Sequence, residues 1–106
     1  MKIVSFNINS IRARPHQIEH LRNTIDPDVI GLQETKVDDP EFPIEVINEI
    51  GYHAEFWGQK GHYGVAILSK EEPLNTVKGF VDDSDEDQKR FIQSTFKYGD
   101  NEIVIM

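Results

Sequence analysis

Oxygen-bearing side chains gather at two places in this chain, each directly after an apolar run. "FNINS", residues 6–10, carries Asn7, Asn9 and Ser10, and "GLQETK", residues 31–36, carries Gln33, Glu34 and Lys36. Glu34 stands against the end of "VIGLQ" without the Gly, Asn or Pro chemistry that would favour a turn. An amide and a carboxylate brought together are hard oxygen donors, the type that Mg²⁺ and Mn²⁺ prefer. A solvated Glu and an Asn capping its own turn explain the same letters more plainly. The spacing alone therefore supports a metal site only if Asn7, Asn9 and Glu34 converge.

Other candidates are weaker. His16 and His20 stand four apart, as a zinc pair on one helix face would, but no Glu or Cys is placed to complete a ligand set. "GQKGHYG" puts two glycines, a Lys, a His and a Tyr in one loop that could meet a phosphodiester backbone, and an ordinary hairpin accounts for it equally. "NINSIRAR" lacks the glycines that cradle a pyrophosphate, and no Walker motif is present.

The elements that would position these groups are legible. "KIVSFN" reads as a strand apolar enough to be buried on both faces. "RPHQIEHLRNTI" sets Ile18, Leu21 and Ile25 at helical spacing behind Pro15, and "DPD" ends the pattern. "VIGLQ" is a second strand, so strand, helix and strand form a parallel pair with a crossover. Ligands of such sheets bind outside the C-terminal strand ends, where Asn7 and Glu34 lie. "PIEVINEI" closes on Gly51 as a short helix. "YHAEFWG" alternates, with Tyr52, Ala54 and Phe56 on one face and His53, Glu55 and Trp57 on the other. It pairs with "YGVAILSK" across "QKGH". "RFIQSTF" and "NEIVIM" read as a further antiparallel pair around "YGDN". The expected fold is α/β in a single domain over 1–106, with a mixed sheet of one crossover and then a meander. Because "EIVIM" runs as a strand to Met106, the chain is expected to be the N-terminal part of something longer.

With 106 residues the chain is long enough for one small core, and with no cysteine it has no disulfide or thiolate metal site. The net charge of −8 argues against a general phosphate-binding surface, though much of it is the stretch "DDSDEDQ" from Asp82 to Gln88, read as a solvated loop. Elsewhere the basic residues fall into small groups, among them Arg12 with Arg14. No segment has the pattern of a signal peptide or the length of a membrane span, so a cytoplasmic location without membrane contact is expected.

Taken together, "KIVSFNINSIRARPHQ", "PDVIGLQETK", "GQKGHYGVAILSK" and "EIVIM" resemble, in order, the N-terminal part of the bacterial exonuclease III family. These are the DNA-repair members of the endonuclease/exonuclease/phosphatase superfamily. "LQETK" marks the superfamily; "RARPHQ" and "GQKGHYGVA" point to the narrower family. The resemblance implies a four-layered α/β sandwich of two mixed sheets between helices. It implies Mg²⁺-dependent cleavage (Mn²⁺ also possible) of double-stranded DNA, 5′ to abasic sites and at 3′ ends, by a monomeric enzyme. Glu34 matches the metal-ligand glutamate and Asn7 the asparagine that orders the metal site, so both are expected to be catalytic. Asn9 holds a position taken by Asn or Asp, and with Lys36 and Tyr63 it is expected on the substrate side. Ser10 departs from a usual Gly. The family's catalytic aspartate and tyrosine, its Asp-x-Asn pair and its terminal Asp-His pair are not among these residues and are expected beyond Met106. The alternatives are an incomplete piece with no activity of its own, or a related phosphatase. In the sandwich "VIGLQ", "YGVAIL" and "EIVIM" are expected to lack most of their cover.

Overall fold

The computed structural model describes residues 2–58, 64–78, 92–98 and 101–105. A parallel β-α-β unit opens the chain: β1 (Ile3–Asn7), α1 (Pro15–Thr24) and β2 (Val29–Gln33). β1 pairs with β2 in parallel from Ile3↔Val29 to Asn7↔Gln33. A short 3₁₀ turn (Asp39–Glu41) and α2 (Ile44–Ile50) lead to β3 (His53–Trp57) and β4 (Val65–Ser69). β4 returns between β2 and β3 and is antiparallel to both, which gives the sheet order β1-β2-β4-β3. β5 (Asn75–Lys78), β6 (Ile92–Tyr98) and β7 (Asn101–Ile105) form a separate antiparallel sheet. The two sheets are those that the family resemblance implied; the single mixed sheet with a meander expected from periodicity is corrected, the second sheet being separate and antiparallel among the described residues. The expectation that the final strand runs on to Met106 is met as far as Ile105, and Met106 itself lies outside the described residues.

The central strands are apolar on both faces because each face meets a different layer. Ile30 and Leu32 of β2 and Ala66 and Leu68 of β4 point towards α1 and α2, packing with Ile8, Ile11, Ile18 and Ile47. Val29, Val65 and Ile67 point the other way, onto Ile92 and Phe96 of the second sheet. This period-2 division is what "VIGLQ" and "VAILS" encode. It also corrects the expectation that both strands lack cover, since every residue of β4 is buried. β1 departs from its reading too. It is an edge strand of its sheet among the described residues, its residues alternate between half-buried and exposed, and Ile3 is 50% exposed.

Helix boundaries follow local chemistry. Pro15 at the start of α1 loses no intrahelical bond, and the helix stops one residue before Ile25, which caps it and is exposed rather than continuing the buried face. Asp26 follows in the left-handed region (φ 55°), and Lys70 Nζ lies 2.9 Å from its carboxylate. That hydrogen bond holds the Asp26 carboxyl below the usual range. The Tyr52 hydroxyl donates to the Pro27 carbonyl at 2.8 Å, and burial pushes its pKa up. Gly51 ends α2 at φ 115°, where its N–H bonds the last turn. Phe42 and Phe56 stack with centroids 4.0 Å apart, tying the 3₁₀ turn to β3. Among the described residues no helix is long and apolar enough to cross a membrane.

Candidate functional site

β1 and β2 end side by side at Asn7 and Gln33, and their backbone pairing continues into the loops beyond. Ile8 N–H donates to the Gln33 carbonyl at 3.1 Å, Ser10 N–H to Glu34 at 2.9 Å and Ile11 N–H to Thr35 at 3.1 Å. Ile8, Ile11 and Thr35 are fully buried beneath this seam. The Thr35 N–H donates to the Gly64 carbonyl at 3.1 Å, while its hydroxyl has no hydrogen-bond partner among the described residues. With Ile8, Ile11 and Thr35 buried below, Asn9 stays exposed and Glu34 part-exposed at the edge.

The side chains converge there. Asn7 Nδ2 donates to Glu34 Oε2, and Asn7 Oδ1 accepts the Asn9 N–H at 3.0 Å. Lys36 Nζ donates to Asn9 Oδ1 and lies 3.9 Å from Glu34 Oε1. Asn7, Asn9, Glu34 and Lys36 thus form one connected cluster of three amide or carboxylate groups and an ammonium. Tyr63, with the rest of "QKGHY" at 59–63, lies outside the described residues, as does the acidic stretch Asp82–Gln88. Met106, beyond which the remaining catalytic groups are expected, lies outside them as well, so this cluster is the part of the expected site that the described residues contain.

Four residues of this cluster and its loops hold left-handed backbone without being glycine: Asn9 (φ 49°), Ser10 (φ 85°), Glu34 (φ 54°) and Lys36 (φ 60°). Asn tolerates that region, whereas Ser, Glu and Lys adopt it only when the surrounding contacts dictate it. Ser10 is where a glycine is the more usual residue in the family that the sequence resembles, and its φ shows what that glycine would do. Ser10→Gly is expected to raise stability by about 1 kcal/mol. Urea unfolding would check this, and an unchanged or lowered midpoint would refute it.

One positioning residue was missed from sequence. Arg14 Nη1 donates to the Asn9 carbonyl, clamping the first loop from the start of α1. Its signal was its place in "RAR", where it reads with Arg12 as a local positive charge. Arg12 instead pairs with Glu41 at 3.1 Å. A groove of about 730 Å³ runs from Asn7 and Asn9 along α1, reaching His16 and His20. Among the described residues no three or more His, Asp or Glu side chains are grouped to hold a metal. Glu34 is the carboxylate that the described residues bring to the cluster.

The donor chemistry fits a hard divalent cation in part. Glu34 Oε1 is not taken up by Asn7, and the amide oxygens of Asn7 and Asn9 belong to the same hydrogen-bonded cluster. One carboxylate and two amides fall short of a full coordination shell, so water, substrate or further protein groups would have to complete it.

Comparison with known proteins places this geometry in context. The Endonuclease/Exonuclease/phosphatase family matches residues 4–105. Exodeoxyribonuclease III of Haemophilus influenzae is 54% identical over 94 residues, covering 89% of this chain and 35% of that protein. The structure of an AP endonuclease from Archaeoglobus fulgidus superposes with a TM-score of 0.81 at 42% identity, covering 91% of this chain and 37% of the other. A 3′ phosphatase from Neisseria bound to a product DNA hairpin superposes with a TM-score of 0.84 at 33% identity, covering 98% of this chain and 40% of the other. The chain spans 33–39% of the length of the curated relatives it matches.

Proposed function

We propose, from the premise that this chain belongs to the endonuclease/exonuclease/phosphatase family, that the whole protein is a divalent-metal-dependent DNA-repair phosphodiesterase. Its substrates are double-stranded DNA with abasic sites, incised on the 5′ side, and 3′ ends, which it degrades or trims. Mg²⁺ is the proposed metal, with Mn²⁺ able to replace it. The protein acts as a monomer in the cytoplasm. The observation that carries the reading is the Asn7–Glu34 pair at the C-terminal edge of a parallel strand pair. Relatives named as an exodeoxyribonuclease, an AP endonuclease and a DNA-bound 3′ phosphatase support it.

In this reading Glu34 holds the metal through its carboxylate, with the Asn7 amide oxygen beside it. When bound, the cation supplies positive charge to the scissile phosphate and to the leaving 3′-oxygen. Asn7 fixes the carboxylate with its amide N–H and fixes the Asn9 loop with its oxygen, so one side chain orients both halves of the site. Asn9, Lys36 and Tyr63 are assigned to substrate binding. The base that activates water is assigned to the part of the whole protein beyond Met106, where the resemblance to the exonuclease III family puts it.

A duplex with one abasic site tests the proposal. The whole protein is expected to give a nick 5′ to the site with a 3′-hydroxyl, abolished by EDTA and restored by Mg²⁺. The 106 residues alone are expected to give no incision at any Mg²⁺ concentration. Full activity in EDTA would refute the metal reading, and incision by the 106 residues would show that the water-activating group is among them.

A further inference from the structure

We propose that Lys36 is an internal cation of the site: its ammonium competes with the divalent metal for the oxygens of Glu34 and Asn9, and so sets how tightly the metal is held. The inference rests on the metal role proposed for Glu34 and adds the residue that opposes it.

The geometry begins with which oxygen is spoken for. Asn7 Nδ2 donates to Glu34 Oε2, so Oε1 is the oxygen left to face a cation. Lys36 Nζ lies 3.9 Å from that Oε1 and donates to Asn9 Oδ1 at 2.5 Å. The ammonium therefore sits between a carboxylate oxygen and an amide oxygen, the two donor types that a hard cation would take.

Three features show that this position is held and not casual. Most of the Lys36 side chain is covered, at 23% exposure, and its ammonium turns to Asn9 Oδ1 at the surface instead of to open water. Its backbone sits in the left-handed region at φ 60°, as does Glu34 at φ 54°, so the loop is bent to bring the ammonium back over Glu34. Asn9 cannot drift away from it, since Arg14 holds its carbonyl and Asn7 Oδ1 its N–H. A lysine serving only a DNA phosphate would need neither the bend nor the amide contact.

An ammonium and a divalent ion on the same two oxygens repel each other strongly at such separations. Metal binding must then displace Lys36 from Glu34 Oε1, and the displaced ammonium is freed to meet an anion. Because the side chain is flexible, the displacement weakens metal binding without preventing it. A single residue thus couples metal loading to the presentation of a cation towards the substrate side.

Mn²⁺ binding to the whole protein without DNA tests this, by isothermal titration calorimetry and by the electron paramagnetic resonance signal of free Mn²⁺. Lys36→Met and Lys36→Gln are expected to tighten binding by about tenfold, whereas Lys36→Arg, which keeps the charge, stays within about twofold of wild type. The metal-induced rise in melting temperature should be larger in the two neutral variants. Unchanged affinity in both neutral variants would overturn the competition and leave Lys36 to phosphate or solvent. Weaker affinity in both would make Lys36 a prop for the ligands instead of a rival. Failure of wild type and neutral variants alike to bind Mn²⁺ would overturn the metal role of Glu34 and this inference with it. Binding by the neutral variants alone would support both.

Discussion

Replacing Glu34 by Gln is expected to abolish metal-dependent incision by the whole protein while leaving its fold intact. The substitution keeps the size of the side chain and an oxygen to accept the Asn7 N–H. It removes the negative charge that the described residues bring to the cluster, and with it the anchor for a hard cation. The loss in rate should be about a thousandfold or more, on the order of 4 kcal/mol of transition-state stabilisation. The cost to stability should be small. The Glu34 side chain is 37% exposed, and its ion pair with Lys36 is long at 3.9 Å, so screening leaves that pair worth less than about 1 kcal/mol. Steady-state incision of an abasic duplex at saturating Mg²⁺, with a urea melt of the same preparation, separates the two effects. A rate within tenfold of wild type would remove Glu34 from the metal role. A large drop in unfolding midpoint would show that Glu34 holds the loops together instead.

The second large effect is expected at Gly58, away from the cluster but in contact with the loop that leaves it. Gly58 follows β3, is buried, and donates its N–H to Asp39 Oδ1 at 2.5 Å. A Cβ built on it would penetrate the Val37 carbonyl oxygen and crowd the Asp38 backbone. Backbone cannot swing aside as a flexible side chain would, so Gly58→Ala should cost about 3 kcal/mol, a large share of a typical domain stability of about 5–15 kcal/mol. The cause is steric rather than conformational, because Gly58 does not occupy the left-handed region. Gly51 is the contrasting case. There an added Cβ would only approach the Arg22 side chain at 3.4 Å, and the strain would come from its φ of 115°. Val37 comes directly after Lys36, so Gly58→Ala should also disturb the site. Urea unfolding of the Gly58→Ala variant checks this, and a stability within about 1 kcal/mol of wild type would contradict the steric account.

What the sequence disclosed about the fold was carried by periodicity. The run "VIGLQ", the helical spacing of Ile18 and Leu21, the proline at the start of α1 and the glycine after α2 each have a local cause, and each element formed where that cause placed it. Ile25 misled, because the helical spacing runs on after the helix has turned off at Asp26. β5 was missed: Asn75–Lys78 is short and mostly exposed, and it becomes a strand only by pairing with β6, a partner some distance along the chain. The strand-end placement of Asn7 and Glu34 was readable, since it follows from a parallel crossover. The bent backbone at Ser10, Glu34 and Lys36 was not, because none of these residue types favours positive φ and only the seam between the two loops imposes it. The inward turn of Lys36 followed from that bend and was hidden with it.

The parallel pairing of β1 with β2 also governs when the site can exist. Asn7 and Glu34 are 27 residues apart, and they meet only after the intervening chain has closed over the sheet through α1. Loop closure of that kind is an entropic toll levied before any contact repays it, which makes non-local parallel pairs slow to form. Half of the cluster on its own strand end has no partner to orient it. A newly made chain therefore brings Asn7 and Glu34 together only once its first tertiary crossover is complete, and on the metal role proposed for Glu34 it is expected to gain affinity for divalent ions at that same step.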